Sequence, residues 1–514
     1  MSRPRRPSRA RKPAAPAPSR VETLRIEALG HLGDGVAHLE GGAIHVPLTA
    51  PGDLVRARVA GARAEVLEVL EEGPDRVPAP CPAFGACGGC SVQHLSAPAQ
   101  ADFKRQAVLG ALAAHGIEAE VDATVATPPG TRRRAALTLR PRERNTAAVG
   151  FQARGTNAVV DIDACPVLHP ALSALIAPLK ALAPRLLKPK SEMRAHLLLT
   201  EAGVDLELAG GRAPDAALLM DLAEFAGAHD LARLTLDREV VALRRPPVLR
   251  VGGAPVPVPP RVFAQASAEG EAALIAAVLA GLEGMDPPPA RILDLFCGVG
   301  TFAFPLAAIA PVHGVEGNAD ALAAFEGGIR ALDRERGGAS AAAKRLSFAR
   351  RDLFRSPLRV EELAGATLGR PLSAQVPRGA PKGAGQDASG AASGGASRDG
   401  SGGASAATGA GLLSGGPHAG ASHLETAAVV IDPPRAGAEA QFRELAAARA
   451  TGLIPRIVSV SCNPATFARD ARILLDAGYT LTRVTPIDQF VWSAHVEVVG
   501  VFGRGLQLST SKVW

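Results

Sequence analysis

The 514-residue sequence contains no run of about 18 uninterrupted apolar residues, so no membrane-spanning helix is expected. Its basic start lacks the apolar core of a secretory signal: Arg3, Arg5, Arg6, Arg9, Arg11 and Lys12 are interleaved with prolines and followed by more of them. Acids are missing there too, as in transit peptides, but the prolines prevent an amphipathic helix. Residues 1–20 therefore read as a disordered basic tail. Cysteine is scarce, and the six present are not spaced as disulfide pairs, which fits a reducing cytoplasm. Charge of one sign is also nearly missing in excess. Against 50 acids stand 56 Lys and Arg, and the net +6 leans toward a polyanionic partner without specifying one.

The length allows about three domains. Over residues 21–75, apolar and polar residues alternate between glycine turns, as in Leu54-Val55-Arg56-Ala57-Arg58-Val59, and several short strands this close predict a small OB-like β-barrel. Residues 76–260 read as a central α+β domain. It opens with Cys81, Cys87 and Cys90 around Gly85, Gly88 and Gly89, which let the chain wrap so that three sulfurs converge, and Cys165 is the fourth candidate ligand. Soft thiolates select zinc or an iron–sulfur cluster. The paired C-x2-C knuckles usual for structural zinc are missing, which favours iron–sulfur. Further on, Arg132-Arg133-Arg134 with Arg140, Arg142 and Arg144 suits either RNA phosphates or a charged sheet edge.

Residues 261–514 carry the pattern of a Rossmann-like α/β domain. The buried strand Arg291 to Leu295 runs into a glycine turn and a helix, and Glu316 ends the next strand where nucleotide-binding folds place an acid on ribose hydroxyls. The third glycine of a dinucleotide fingerprint is missing, which favours an adenosyl ligand without a pyrophosphate. Asp352 follows a third strand as an adenine-side contact. Residues 365–425 collapse into Gly, Ala and Ser and read as a disordered insertion. The sheet resumes before Asp432-Pro433-Pro434-Arg435. Cys462 then lies between the strand Ile457-Val458-Ser459-Val460 and a helix with Asn463 as N-cap, Pro464 at its first position and Gly478 beyond its end. A turn of that kind lowers a thiol's pKa and exposes the sulfur, which makes a nucleophile. Asp294, Asp352, Asp432 and Cys462 are all expected at one rim of the sheet.

A thiol beside a methyl-donor pocket answers one chemical difficulty: carbon 5 of uracil is a poor nucleophile. Addition of Cys462 to carbon 6 produces an enolate that attacks a sulfonium methyl, and a base must then remove the carbon 5 proton. Glu497, in a final alternating strand, is the candidate base.

Taken together, CPAFGACGGC with Cys165, FAQ, DLFCGVGTF, VEGNAD, DPPRAG, SCNPATFARD and HVEVV resemble the class I, S-adenosylmethionine-dependent RNA uracil-5-methyltransferases, in family order over nearly the whole chain. The resemblance implies a TRAM-type RNA-binding barrel, a [4Fe-4S] cluster on Cys81, Cys87, Cys90 and Cys165, and a donor site formed by Gln265, Phe296, Thr301, Glu316, Asp352 and Asp432. It makes Cys462 the nucleophile and Glu497 the proton acceptor. Members with both TRAM domain and cluster generally act on 23S ribosomal RNA, and transfer RNA is the alternative substrate. No obligate protein partner is implied. Two departures, Ser267 and the segment Phe490 to His495, lie near the expected uridine pocket and leave the target nucleotide open. The rivals are weaker. An amino-group methyltransferase would leave Cys462 without a task, a cytosine-5 enzyme would use similar thiol chemistry, and a noncatalytic iron–sulfur RNA-binding factor would need neither Cys462 nor Glu497.

Overall fold

The computed structural model describes residues 19–367 and 427–504. Nearly all of the expected tail, 1–20, and insertion, 365–425, lies outside those residues. What they include is a strand beginning at Arg20 and the end of a helix, Val360–Thr367.

The first sheet follows from alternation. In Leu54–Ala60, Val55, Ala57 and Val59 are buried while Arg56 and Arg58 face solvent. That strand pairs antiparallel with Arg20–Arg25 and Arg63–Glu71 in a six-stranded sheet, completed by Gly42–Val46, Gly35–Leu39 and Ala28–Leu29. Its inner face gathers Leu24, Ile26, Ile44, Val46 and Val55 into a core of its own. The second sheet has seven strands between Arg134 and Leu243. Helices Ile176–Leu186 and Ala216–Ala228 cover it, Leu179, Leu182, Leu218 and Leu222 packing onto Leu137, Leu139, Leu197 and Leu206.

The third sheet positions the site. Its order is Leu346–Arg350, Val312–Glu316, Arg291–Leu295, Ala427–Ile431, Arg456–Ser461, Glu497–Arg504, Tyr479–Asp488 and Val125–Ala126. The first five run parallel, and Glu497–Arg504 is antiparallel to both its neighbours. Apolar layers lie on both faces, which is why the central strands read as continuous hydrophobic runs. Ile292, Val430 and Val458 pack toward helices Ala268–Leu282 and Ala319–Glu335, whereas Leu293, Val429 and Ile457 pack toward Glu439–Ala448 and Pro464–Asp476.

Residues 97–126 precede the second sheet in the chain but pack on the third. Helix Ala97–Ala113 places Val108 and Leu112 in the same layer as Phe467 and Leu474, and Val125–Ala126 pairs with Ile487–Asp488. Lys104, fully buried on that helix, pairs with Asp488 and donates to Phe490 O at 3.0 Å. Burying an ammonium is costly without such a partner, so the pair pins the helix to one place. Among the described residues no helix is long and apolar enough to cross a membrane.

Candidate active site

The strand Arg291–Leu295 ends at Phe296, whose φ of +61° is unusual for an aromatic residue. The N–H groups of Phe296 and Cys297 both donate to Val315 O, at 2.9 and 3.2 Å, which folds the turn against the next strand. At Gly300, φ is +95° and a β-carbon would meet the Phe325 ring at 2.5 Å, so the turn requires glycine there. Gly298 N–H donates to Glu316 Oε2 at 3.0 Å and Asn318 N–H to Oε1 at 2.6 Å. The Glu316 carboxylate is thereby held at the rim by the backbone of two turns.

Above this turn opens a cleft of about 490 Å³. Gln265, Phe296, Thr301, Glu316, Asp352, Asp432, Cys462 and Glu497 all line it, although they are far apart in the sequence. Asp352 sits at its exposed edge, accepting from Phe354 and Arg355 N–H at 3.0 and 3.2 Å. Asp294 does not join them. It is fully buried beneath the cleft, where loss of water pushes its carboxyl up to about 8. Phe263 also lines the cleft, 58% exposed with the Arg134 guanidinium 4.5 Å from its ring centre, so it is not a core residue.

Cys462 occupies the expected turn, one residue before the Asn463 N-cap of helix Pro464–Asp476, with Gly478 left-handed beyond the far end. The expected low thiol pKa is corrected. Partial burial first, then the carboxylates of Glu497 and Asp432, push the thiol up to about 11, and Arg435 opposes them weakly. The helix terminus loses because two acids and little water surround the sulfur. Cys462 also lines a second cavity, of about 450 Å³, together with Arg435, His495, helix Ala97–Ala113 and the Leu29-Gly30-His31-Leu32 turn of the first sheet. Cys462 therefore borders both cavities.

Glu497 opens its strand and is 5% exposed. Burial raises its carboxyl to about 7, against the Gln489 hydrogen bond and the Arg134 charge. A carboxyl with a pKa near neutrality exchanges protons readily at working pH.

The arginine run divides among several partners. Arg133 is buried, donating to Glu271 Oε2 at 2.6 Å and Gln265 O at 3.1 Å. Arg132 lies over the Phe490 ring, Arg134 lies on Phe263, and Arg142 pairs with Asp161. Arg134 opens its strand, whereas Arg132 and Arg133 lie just before it.

Cys81, Cys87, Cys90 and Cys165 line one cavity of about 400 Å³ with Arg132 and Phe490. Cys87 Sγ accepts from Gly89 N–H at 3.5 Å, and Val167 and Leu168 N–H groups reach Cys165. Burial raises the Cys90 thiol to about 12. Among the described residues no three His, Cys, Asp or Glu side chains are gathered closely enough to hold a metal ion. The sulfurs thus surround a space and do not converge on one ion-sized point as the glycine spacing suggested.

The third sheet, its glycine turn and its cleft define a methyltransferase fold. Over 93% of this chain and 99% of the other, the structure superposes with TM-score 0.61 and 22% identity on the Pyrococcus abyssi tRNA (uracil-54, C5)-methyltransferase solved with S-adenosyl-L-homocysteine. Residues 421–504 match the family described as tRNA (Uracil-5-)-methyltransferase. A Caulobacter vibrioides protein called an uncharacterized RNA methyltransferase is 37% identical over 94% of this chain and 100% of its own length. The 23S rRNA (uracil(1939)-C(5))-methyltransferase RlmD of Shewanella amazonensis is 31% identical over 93% of this chain and 95% of its own. The chain therefore belongs to the S-adenosylmethionine-dependent RNA uracil-5-methyltransferase family.

Sequence reasoning did not single out Gln489 or Lys104. Nothing local marks a glutamine at a strand end or a lysine in a helix; Gln489 joins Glu497 to Gln265, 224 residues away, and Lys104 finds Asp488 384 residues away.

Proposed function

We propose that this enzyme methylates carbon 5 of a uridine in 23S ribosomal RNA, with Cys462 as nucleophile and Glu497 as proton acceptor. The observation that carries the reading is that Cys462 and Glu497 share one cleft with the six donor-side residues, while Cys462 also faces a second cavity through which a base can arrive. When bound, S-adenosylmethionine supplies an electrophilic methyl. In the cleft, Glu316 is placed for ribose hydroxyls, Asp352 for the adenine side, and Gln265, Phe296, Thr301 and Asp432 for the rest of the donor. The Cys462 thiol gives up its proton to water as its sulfur bonds to carbon 6 of the uracil, the ring electrons move to carbon 5, and carbon 5 takes the methyl as the sulfonium–methyl bond breaks and S-adenosylhomocysteine is left. Glu497 then removes the carbon 5 proton, the carbon 6–sulfur bond breaks and the thiol is restored.

A stacked uridine must leave its helix to reach the sulfur. Residues 21–75 act as the TRAM-type RNA-binding barrel in this reading, 76–260 as the central domain and 261–514 as the catalytic one. The four cysteines hold a [4Fe-4S] cluster, and the RNA substrate places the enzyme in the cytoplasm. Ribosomal RNA is favoured because the relatives named for it are 31% and 30% identical over nearly the whole chain, against 22% for the structure named for transfer RNA.

Mass spectrometry of nucleosides, mapped to ribosomal and transfer RNA from cells lacking this protein, tests the substrate. Loss of one 5-methyluridine from 23S RNA is expected, and loss from transfer RNA instead would overturn that choice. Cys462→Ala is expected to abolish transfer and retain RNA binding; full activity would reject the covalent step.

A further inference from the structure

Gln489 follows the strand Tyr479–Asp488 and is 4% exposed, so its amide must satisfy one acceptor and two donor positions inside the protein. Its Oε1 accepts from Ala266 N–H at 3.1 Å. That bond fixes which way the amide is turned, because a backbone N–H cannot accept. The nitrogen therefore faces the other side, where it donates to Glu497 Oε1 at 2.7 Å and to Gln265 Oε1 at 3.0 Å. Both N–H donors and one lone pair of the amide oxygen are used. Helix Ala268–Leu282 also closes on it: a β-carbon at Gly270 would meet Gln489 Cβ at 2.5 Å, which leaves the side chain little freedom to move.

We propose that Gln489 is a positioning residue for the methyl transfer, holding the Glu497 carboxylate ionised and oriented toward the cleft and tying it through the same amide to Gln265 on the donor side. The proposal rests on Glu497 being the proton acceptor. A carboxylate accepts such a bond more strongly than a carboxylic acid does, so the bond favours the charged form. The other groups facing Glu497 are Arg134 from the second sheet, which also favours ionisation, and Asp432 and Cys462, which follow strands Ala427–Ile431 and Arg456–Ser461. With Gln265 Oε1 committed to Gln489, the Gln265 amide nitrogen is left for a ligand in the cleft.

The test is the pH dependence of single-turnover tritium release from an RNA labelled at carbon 5 of the target uridine. In the unaltered enzyme the Cys462 thiol, protonated up to about 11, makes release increase uniformly with pH, and the ionisation of Glu497 adds a further rise that levels off above about 7. Gln489→Leu removes the donated bond and is expected to move that rise upward by about one pH unit or more, with the rate recovering to within a few-fold above it. Gln489→Glu keeps the side-chain volume, brings a second acid to Glu497 and is expected to move it further. A rate lowered by the same factor at every pH in both variants, or a rise left in place, overturns the proposal. Glu497→Gln separates it from its premise. A covalent RNA adduct that persists in denaturing gels supports Glu497 as acceptor; rapid turnover of that variant removes the premise whatever Gln489 does. An adduct with Glu497→Gln together with an unmoved rise in Gln489→Leu defeats the proposal alone.

Discussion

The Cys462 thiol of the free enzyme should be slow to react, and the structure sets how slow. Burial, Glu497 and Asp432 hold it at about 11, against roughly 8.5 for an ordinary cysteine. At pH 7.5 the thiolate population is then ~300-fold below that of glutathione-like thiols. A thiol of higher pKa is intrinsically more nucleophilic, with a Brønsted slope near 0.45, which returns about tenfold over this interval. The expected net deficit in exchange with a neutral aromatic disulfide is therefore about 30-fold. Peptide mass spectrometry distinguishes Cys462 from the other five cysteines. Glu497→Gln removes one of the charges opposing ionisation. Each unit by which the thiol pKa falls multiplies the thiolate tenfold and the net rate by about three. Reaction of Cys462 in the unaltered enzyme as fast as a free thiol, or a rate indifferent to Glu497→Gln, would refute the electrostatic account of this cleft.

Gly300→Ala should destabilise the protein by about 1–3 kcal/mol, because the left-handed backbone and the Phe325 ring both oppose a β-carbon; thermal unfolding with and without S-adenosylhomocysteine measures it. Lys104→Met should cost about 3–5 kcal/mol in urea unfolding by leaving Asp488 buried and alone, and Lys104→Met with Asp488→Asn together should recover much of that loss. Anaerobic purification should yield iron and acid-labile sulfide together, and Cys90→Ser should lower both; finding zinc with neither would displace the cluster assignment. Lowering pH from 8 to 6 should slow carbon 5 proton removal, since Glu497, with its carboxyl near 7, must be ionised to accept.

Much of the site was legible before the structure because its parts are tied to local backbone form. Glycine turns, N-caps and strand-to-helix junctions are short-range features, and Gly298, Gly300, Asn463 and Gly478 each adopt the conformation their residue type favours. Charge was read less well. Cys462 was expected to be acidified by its helix, but acids from two other strands reverse that. In the arginine run, Arg133 turns to Glu271, Arg132 to the Phe490 ring and Arg134 to the Phe263 ring, partners that come from distant segments.

By itself the sequence determined the order of strands and turns, and which residue types stand at their ends, since those depend on hydrophobic period and backbone preference within about ten residues. Only the tertiary structure decided that helix Ala97–Ala113 packs on the catalytic sheet, that Gln489 bridges Gln265 and Glu497, and that the Cys462 thiol is held protonated. Solvent exclusion and through-space charge depend on which distant segments meet, and no local pattern records that.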